Sequence, residues 1–279
     1  MADTLRAEAP APPADPAPAP PRASRPVRRI GAAAARAARG TVAILAFLAV
    51  WEAAPRAHLV DPIFLPPLSE VLPALGDLAA SGRLWDDARA SIVRSLAGFG
   101  LAIAVAVPLG LLIGWYRTVA DLLNPLLEVF RNTAAIALLP VFVLVLGIGE
   151  TSKVAIVLYA CTWPILLNTI GAVRTVDPTL IRSARSLGLP APRVFQKVVL
   201  PAAVPEIFTG IRLAGATSVL VMIVAKEGLG FLVGSSQQNF AIHEMYAGII
   251  AISVLGLAFN YLLVLVERRL TRWRPAAPD

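Results

Sequence analysis

From about residue 37 onward the chain alternates long apolar runs with shorter polar stretches. Since about 20 apolar residues at 1.5 Å rise cross a hydrocarbon core, six runs predict spanning helices: 37–55, 92–115, 124–147, 153–173, 206–225 and 245–266. The fold class expected is therefore all-α, a polytopic membrane protein with six transmembrane helices. In the first run the uncharged part, Gly40 to Val50, is short, so Arg36 and Arg39 must snorkel from its start. The third run contains Glu128, Arg131 and Asn132. The interval 56–91 carries Pro62, Pro66, Pro67 and Pro73, followed by GRLWDDARAS. It reads as an extramembrane connector ending in a short amphipathic helix.

One polar segment, residues 182–201 (RSARSLGLPAPRVFQKVVLP), is flanked on both sides by spanning-length sequence. Asp177 is placed to cap a helix whose first residue is Pro178, where a missing N–H costs nothing. Gly188 and Pro190 then stop it, through the left-handed conformation that glycine tolerates. A second short helix is expected over Arg193 to Leu200, ending before Pro201, with Pro205 preceding the fifth span. A simple linker needs no such series of starts and stops. The plainer alternative is a helical loop that packs only on its own bundle.

Composition agrees with a membrane protein: 57% of residues are hydrophobic, 15% are charged, and the mean hydropathy is +0.71. The single cysteine, Cys161, lies in an apolar run and excludes a disulfide framework. The net charge of +7 raises nucleic acid as a partner, but the arginines fall where cytoplasmic loops of a membrane protein hold them. With a cytoplasmic N terminus, the inner segments hold seven arginines in residues 1–40, Arg117, five Lys or Arg from Arg174 to Lys197, and four from Arg268 to Arg274. The outer segments hold Arg56, Arg83, Arg89, Lys153 and Lys226. The expected topology is multi-pass with both termini cytoplasmic, lipid the surrounding partner and no nucleic acid bound. Residues 9–26 are largely Ala and Pro, so residues 1–36 are expected to be a disordered Ala/Pro/Arg-rich tail, 37–274 the transmembrane domain with its loop 174–205, and 275–279 a short C-terminal tail. Arg28-Arg29 suggests a twin-arginine export signal, but no clear cleavage site follows and an uncleaved first anchor is the better reading.

Charged and amide groups are costly in lipid and should face the bundle interior. Glu128, Arg131, Asn132, Asn168, Thr217 and Ser218 are accordingly the candidates for a translocation path. Glu128 and Arg131, three residues apart, can also simply satisfy each other, while Arg131 with Asn132 would suit an anionic cargo. His58 and His243 lack a ligand cluster, so no metal site is expected. Gly228, Gly230 and Gly234 follow no strand and read as an outer turn, and the chain lacks the phosphate-binding Gly-x-x-x-x-Gly-Lys-Ser/Thr loop. No paired nucleophile and base lies within a span, which argues against an intramembrane enzyme. The alternative of an ion-coupled secondary transporter predicts repeated, interrupted half-helices in the two halves, which this sequence does not display.

The segment Arg182-Ser183-Ala184, Gly188 and Val198-Val199-Leu200-Pro201 resembles the cytoplasmic "EAA" loop of ABC importer permeases, whose pattern is Glu-Ala-Ala, three residues, Gly, nine residues, Ile, any residue, Leu-Pro. The stretches Phe64-Leu65-Pro66-Pro67, Ser95 to Phe99, Leu146 to Lys153, Leu167-Asn168-Thr169, Val176-Asp177, Thr209 to Arg212, Gly228-Leu229-Gly230 and Glu267-Arg268-Arg269 before Trp273 are similar to the permeases for nitrate, aliphatic sulfonates and taurine. The likeness runs from about residue 40 to 274. It implies the MetI-like fold of type I ABC importers and a homodimer. It also implies a cytoplasmic ATPase subunit that carries ATP and Mg, with no cofactor on this chain, and an extracytoplasmic solute-binding protein. By the same resemblance Arg182, Ser183, Ala184, Gly188, Val198, Leu200 and Pro201 would form the ATPase-coupling loop, and no residue would be catalytic. Three departures stand out: Arg182 replaces the family's glutamate, Arg131-Asn132-Thr133-Ala134 replaces Arg-x-Ile-Pro so that a helix break there should soften, and the stretch before Gly228 is short.

Overall fold

A computed structural model describes residues 26–221 and 228–270. By its contacts the chain divides into two units, residues 1–51 and 52–279. The whole of the first unit's described length lies in the helix α1 (Pro26–Arg56). It starts well before the expected boundary at residue 37, because Pro26 fits a first helical position and the Ala/Arg run after it has high helix propensity. Val42, Ile44, Leu45, Phe47 and Val50 are exposed, as suits a helix whose solvent is lipid.

The described secondary-structure elements of the second unit are all helices, joined by short turns: α2 (Leu68–Ala80), α3 (Arg83–Trp115), α4 (Arg117–Arg131), α5 (Leu139–Leu146), α6 (Glu150–Arg174), α7 (Pro178–Ser186), α8 (Ala191–Val194), α9 (Leu200–Val221), α10 (Leu229–Gln238) and α11 (Ile242–Leu270). Among the described residues four helices are long and apolar enough to cross a membrane, Arg83–Trp115, Glu150–Arg174, the continuous run Ala191–Ser218 and Ile242–Glu267, and a bent pair makes five if it is one span. The expected first span lies on α1. Residues 222–225, the end of the expected fifth span, lie outside the described residues.

Three expectations are corrected. The third span is broken: α4 and the segment Ala135–Leu146 meet at 88°, so the break is sharp and not softened. Asn132 Nδ2 donates to the Glu128 carbonyl (2.7 Å) and Thr133 Oγ1 to that of Val129 (3.1 Å), so side chains take up the last carbonyls of α4. Ala134 is then extended (φ −63°, ψ 128°), and Pro140 opens α5. Second, the amphipathic helix expected before the second span is the first part of α3 itself. Third, no helix ends before Pro201. A wide π turn over Phe195–Val199 joins α8 to α9, with the Leu200 N–H bonded to the Phe195 carbonyl five residues back. That wider turn accommodates the donor missing at Pro201, so the proline is absorbed where a regular helix would break.

Glycine sets the packing of α3 on α6. A methyl group placed on Gly98, Gly110 or Gly114 would lie 2.7 Å from Val157, Thr169 or Val173 respectively, so the two backbones approach as closely as small residues permit. Gly210 brings α9 equally close to Asn168 on α6, a hypothetical methyl there standing 2.6 Å from its Cβ. Phe99, Ile113, Ile165, Leu166, Val199 and Ala214 belong to the resulting core. A smaller cluster of Val71, Leu78, Leu229, Leu232 and Ala247 joins α2, α10 and α11.

Candidate functional site

The polar segment after α6 has two halves of opposite character. In the first, Asp177 caps α7 by accepting the Thr179 N–H at 2.7 Å. Gly188 ends it at φ +76°: the Gly188 N–H bonds to the Arg185 carbonyl (2.9 Å) and the Leu189 N–H to that of Ala184 (3.2 Å). This double bond pattern is a Schellman stop, and it needs glycine at the left-handed residue. Ala184 is buried, whereas Arg182 and Ser183 are exposed. So are Leu180 and Leu187, seven residues apart and therefore on the same side of the helix, at 50% and 80% exposure. Sequence reading did not single out these two leucines, although apolar residues two turns apart in a polar insert were the available signal. Arg182 makes no ion pair within 4 Å among the described residues.

The second half is an anchor. Val194 and Val199 are fully buried, Val198, Leu200 and Pro201 half-buried, and Phe195 packs on Trp115 with ring centroids 5.1 Å apart. A groove of about 440 Å³ between the end of α3 and this segment is lined by Trp115, Tyr116, Pro192 and Phe195, among others. At the α6 end, Thr175 Oγ1 donates to Glu206 Oε2 of α9 (3.2 Å). Helix α7 thus lies along the chain between the end of α6 and the segment that leads into α9.

The Asp177 carboxyl sits below its ordinary 3.8, chiefly because it accepts the Thr179 backbone N–H, with Arg182 nearby adding to the effect. A lowered folded pKa means that the cap stabilises α7 above the unfolded value, and that this contribution disappears as pH falls through the lower, folded one. Asp177→Ala is expected to raise amide exchange across residues 178–186 at neutral pH. In the wild-type chain the same rise should appear only below about pH 4, and exchange independent of both changes would contradict the cap.

The six path candidates are not gathered into one site. Arg131 Nη2 bonds Glu128 Oε1 at 2.7 Å, both side chains exposed, and Asn132 is occupied with the Glu128 carbonyl. Asn168 Nδ2 donates to the Pro164 carbonyl (2.8 Å) and Thr217 Oγ1 to that of Leu213 (3.1 Å). Ser218 is fully buried, donating to the Gly215 carbonyl (2.8 Å) while its own carbonyl accepts from Ser95 (3.5 Å). His243 meets Glu70 at 3.2 Å.

The family model described as "Binding-protein-dependent transport system inner membrane component" matches residues 106–272. The taurine transport system permease protein TauC of Escherichia coli K12 is 36% identical over 236 residues, covering 81% of this chain and 86% of that protein. The putative aliphatic sulfonates transport permease protein SsuC of Bacillus subtilis 168 is 30% identical, covering 81% and 84%. The bicarbonate transport system permease protein CmpB of Synechococcus elongatus is 29% identical, covering 68% and 70%. Among solved structures, a chain of the MetNI methionine ABC transporter in an inward-facing conformation superposes with a TM-score of 0.57 at 18% identity, covering 65% of this chain and 93% of that one. That likeness establishes the fold. This chain belongs to the binding-protein-dependent transport system inner membrane components: it is a membrane-spanning permease subunit of an ABC importer, not an enzyme, in a family that works with a separate ATPase and a substrate-binding protein.

Proposed function

We propose that the chain is the permease of an importer for a small anionic or zwitterionic organic solute or oxyanion, within the range of aliphatic sulfonates, taurine and nitrate. The names of its relatives support this class. The observation that carries the coupling mechanism is α7, a nine-residue helix fixed at both ends and offering an apolar and cationic face to a partner. In this reading Leu180, Arg182, Ser183 and Leu187 seat in a groove of the ATPase, and Gly188 fixes the angle of the helix. Val198, Leu200 and Pro201 tie its far side to α9. The termini lie on the same cytoplasmic face, as the distribution of arginines favours.

Two permease copies would enclose the path, and Arg131 and Asn132 at the sharp bend after α4 are the groups best suited to meet an anion. ATP and Mg bind to the partner. Closure of the ATPase pair moves α7, and α6 and α9 follow because they are packed glycine against side chain. The permease supplies gating and positioning and no covalent step.

The test is uptake by proteoliposomes containing the permease, its ATPase and its solute-binding protein, with the solute first identified by thermal shift of the binding protein against taurine, alkanesulfonates and nitrate. Uptake is expected to require hydrolysis-competent ATPase. Uptake that persists with an inactive ATPase and collapses with the ion gradient would overturn the proposal in favour of a secondary transporter.

A further inference from the structure

The start of α3 carries a polar stripe remote from α7. Arg94 is 2% exposed and grips Glu150, the first residue of α6, through two bonds: Nε to Oε2 at 2.9 Å and Nη2 to Oε1 at 2.8 Å. Lys153 Nζ reaches the same carboxylate at 2.7 Å. Asp87 and Ser91, four residues apart and seven and three before Arg94, lie along the same side of α3. Asp87 Oδ1 accepts the Gly228 N–H (3.2 Å) and Ser91 Oγ the Leu229 N–H (3.0 Å). Helix α10 has no side-chain cap of its own at Gly228, so α3 caps it from outside. Gly228 is required there on two counts: its φ is +94°, and a Cβ would lie 2.5 Å from Ser91 Oγ and 3.6 Å from an Arg94 nitrogen.

This stripe bridges two apolar bodies, the core of α3, α6 and α9 and the smaller cluster of α2, α10 and α11. Taking a guanidinium out of water costs several kcal/mol unless it is well paired. Apolar packing would hold the two bodies together without that cost. A bidentate pair instead has a geometry that is either made or broken, which suits a two-state contact. Helix α6, 25 residues long and so about 37 Å, connects this pair at one end with α7 at the other.

We propose that Arg94 and Glu150 form a latch that couples α6 to the α10 turn, Arg94 being the positioning residue and Asp87 with Ser91 holding the turn it positions. The latch is closed in the conformation described, and it opens when α7 drives α6. This inference rests on the reading of the chain as an ATP-driven permease with α7 as its coupling helix. Its consequence is coupling: without the latch, ATP is hydrolysed but the α10 turn no longer follows α6.

The test uses the assembled importer in lipid. Glu150→Gln alone leaves Arg94 an acceptor, and the double variant Arg94→Met with Glu150→Gln removes the buried charge together with its partner, which guards against simple misfolding. Both are expected to assemble with the ATPase and hydrolyse ATP at the wild-type basal rate, while solute taken up per ATP falls about tenfold, equivalent to about 1.4 kcal/mol of lost coupling. Hydrogen exchange at Leu229 and the following turn should be slow in the nucleotide-free wild-type complex and rise on vanadate trapping. Unchanged uptake per ATP in assembled variants, a parallel fall of hydrolysis and uptake, or exchange indifferent to trapping would each overturn the latch. Failure of the wild-type complex to couple uptake to hydrolysis would instead overturn the underlying reading.

Discussion

Gly110→Leu is expected to disrupt the packing of the permease, while Gly100→Leu on the same helix leaves it intact. At Gly110 the first added carbon already lies 2.7 Å from Thr169 Cβ and 3.1 Å from the Leu166 carbonyl, whereas at Gly100 nothing stands within 4 Å. Thr169 cannot move aside, because it is fully buried and its hydroxyl is held by the Ile165 carbonyl at 2.7 Å. Overpacking of this kind costs about 1–3 kcal/mol. At about 2–4 °C per kcal/mol for a chain of this size, the midpoint of thermal unfolding in detergent should drop by up to about 10 °C, with loss of a monodisperse peak on size exclusion. The drop should shrink in Gly110→Ala and shrink further when Thr169→Gly is added to that variant. Equal behaviour of the two leucine variants would refute the close contact of α3 with α6.

Leu187→Asp is expected to abolish productive ATPase docking without destabilising the permease. The side chain is 80% exposed, so its removal takes nothing from the bundle. Burying a leucine in a partner's groove contributes about 1.5–3 kcal/mol, and its loss alone weakens docking roughly 10- to 100-fold. A buried aspartate adds to the deficit. Leu187→Met should retain docking, since volume and polarity are nearly conserved. The measurement is titration of the ATPase onto permease in nanodiscs, with unfolding followed in parallel. Undiminished docking of Leu187→Asp would show that α7 presents another face. In the same titration Arg182→Glu should bind more weakly, because an exposed arginine with no ion pair within 4 Å among the described residues is available to a carboxylate of the partner. Tighter binding would instead reveal a degraded family contact.

How much of this is legible in the sequence depends on the range of each interaction. The limits of α7 are legible nearly to the residue, because Asp177, Pro178 and Gly188 act on groups within five positions along the chain. The apolar runs marked four helices long enough to span for a similar reason, since length and composition belong to the segment itself. The resemblance to importer permeases likewise rested on motifs in linear order.

Pro201 misled, since a proline breaks a regular turn but not the wider one that precedes it here. For Glu128, Arg131 and Asn132 the sequence allows two roles, path groups or a Glu128–Arg131 pair three residues apart; the structure makes that pair and ties Asn132 to the Glu128 carbonyl.

The sequence alone therefore determined the membrane class, the limits of α7 and the family. Only the tertiary structure separated Gly110 from Gly100, and only it brought Arg94 to Glu150 across 56 residues and Ser91 to Leu229 across 138. The reason is geometric: capping and hydropathy are set by neighbours in the chain, whereas contact between helix faces depends on how whole helices are rotated against one another.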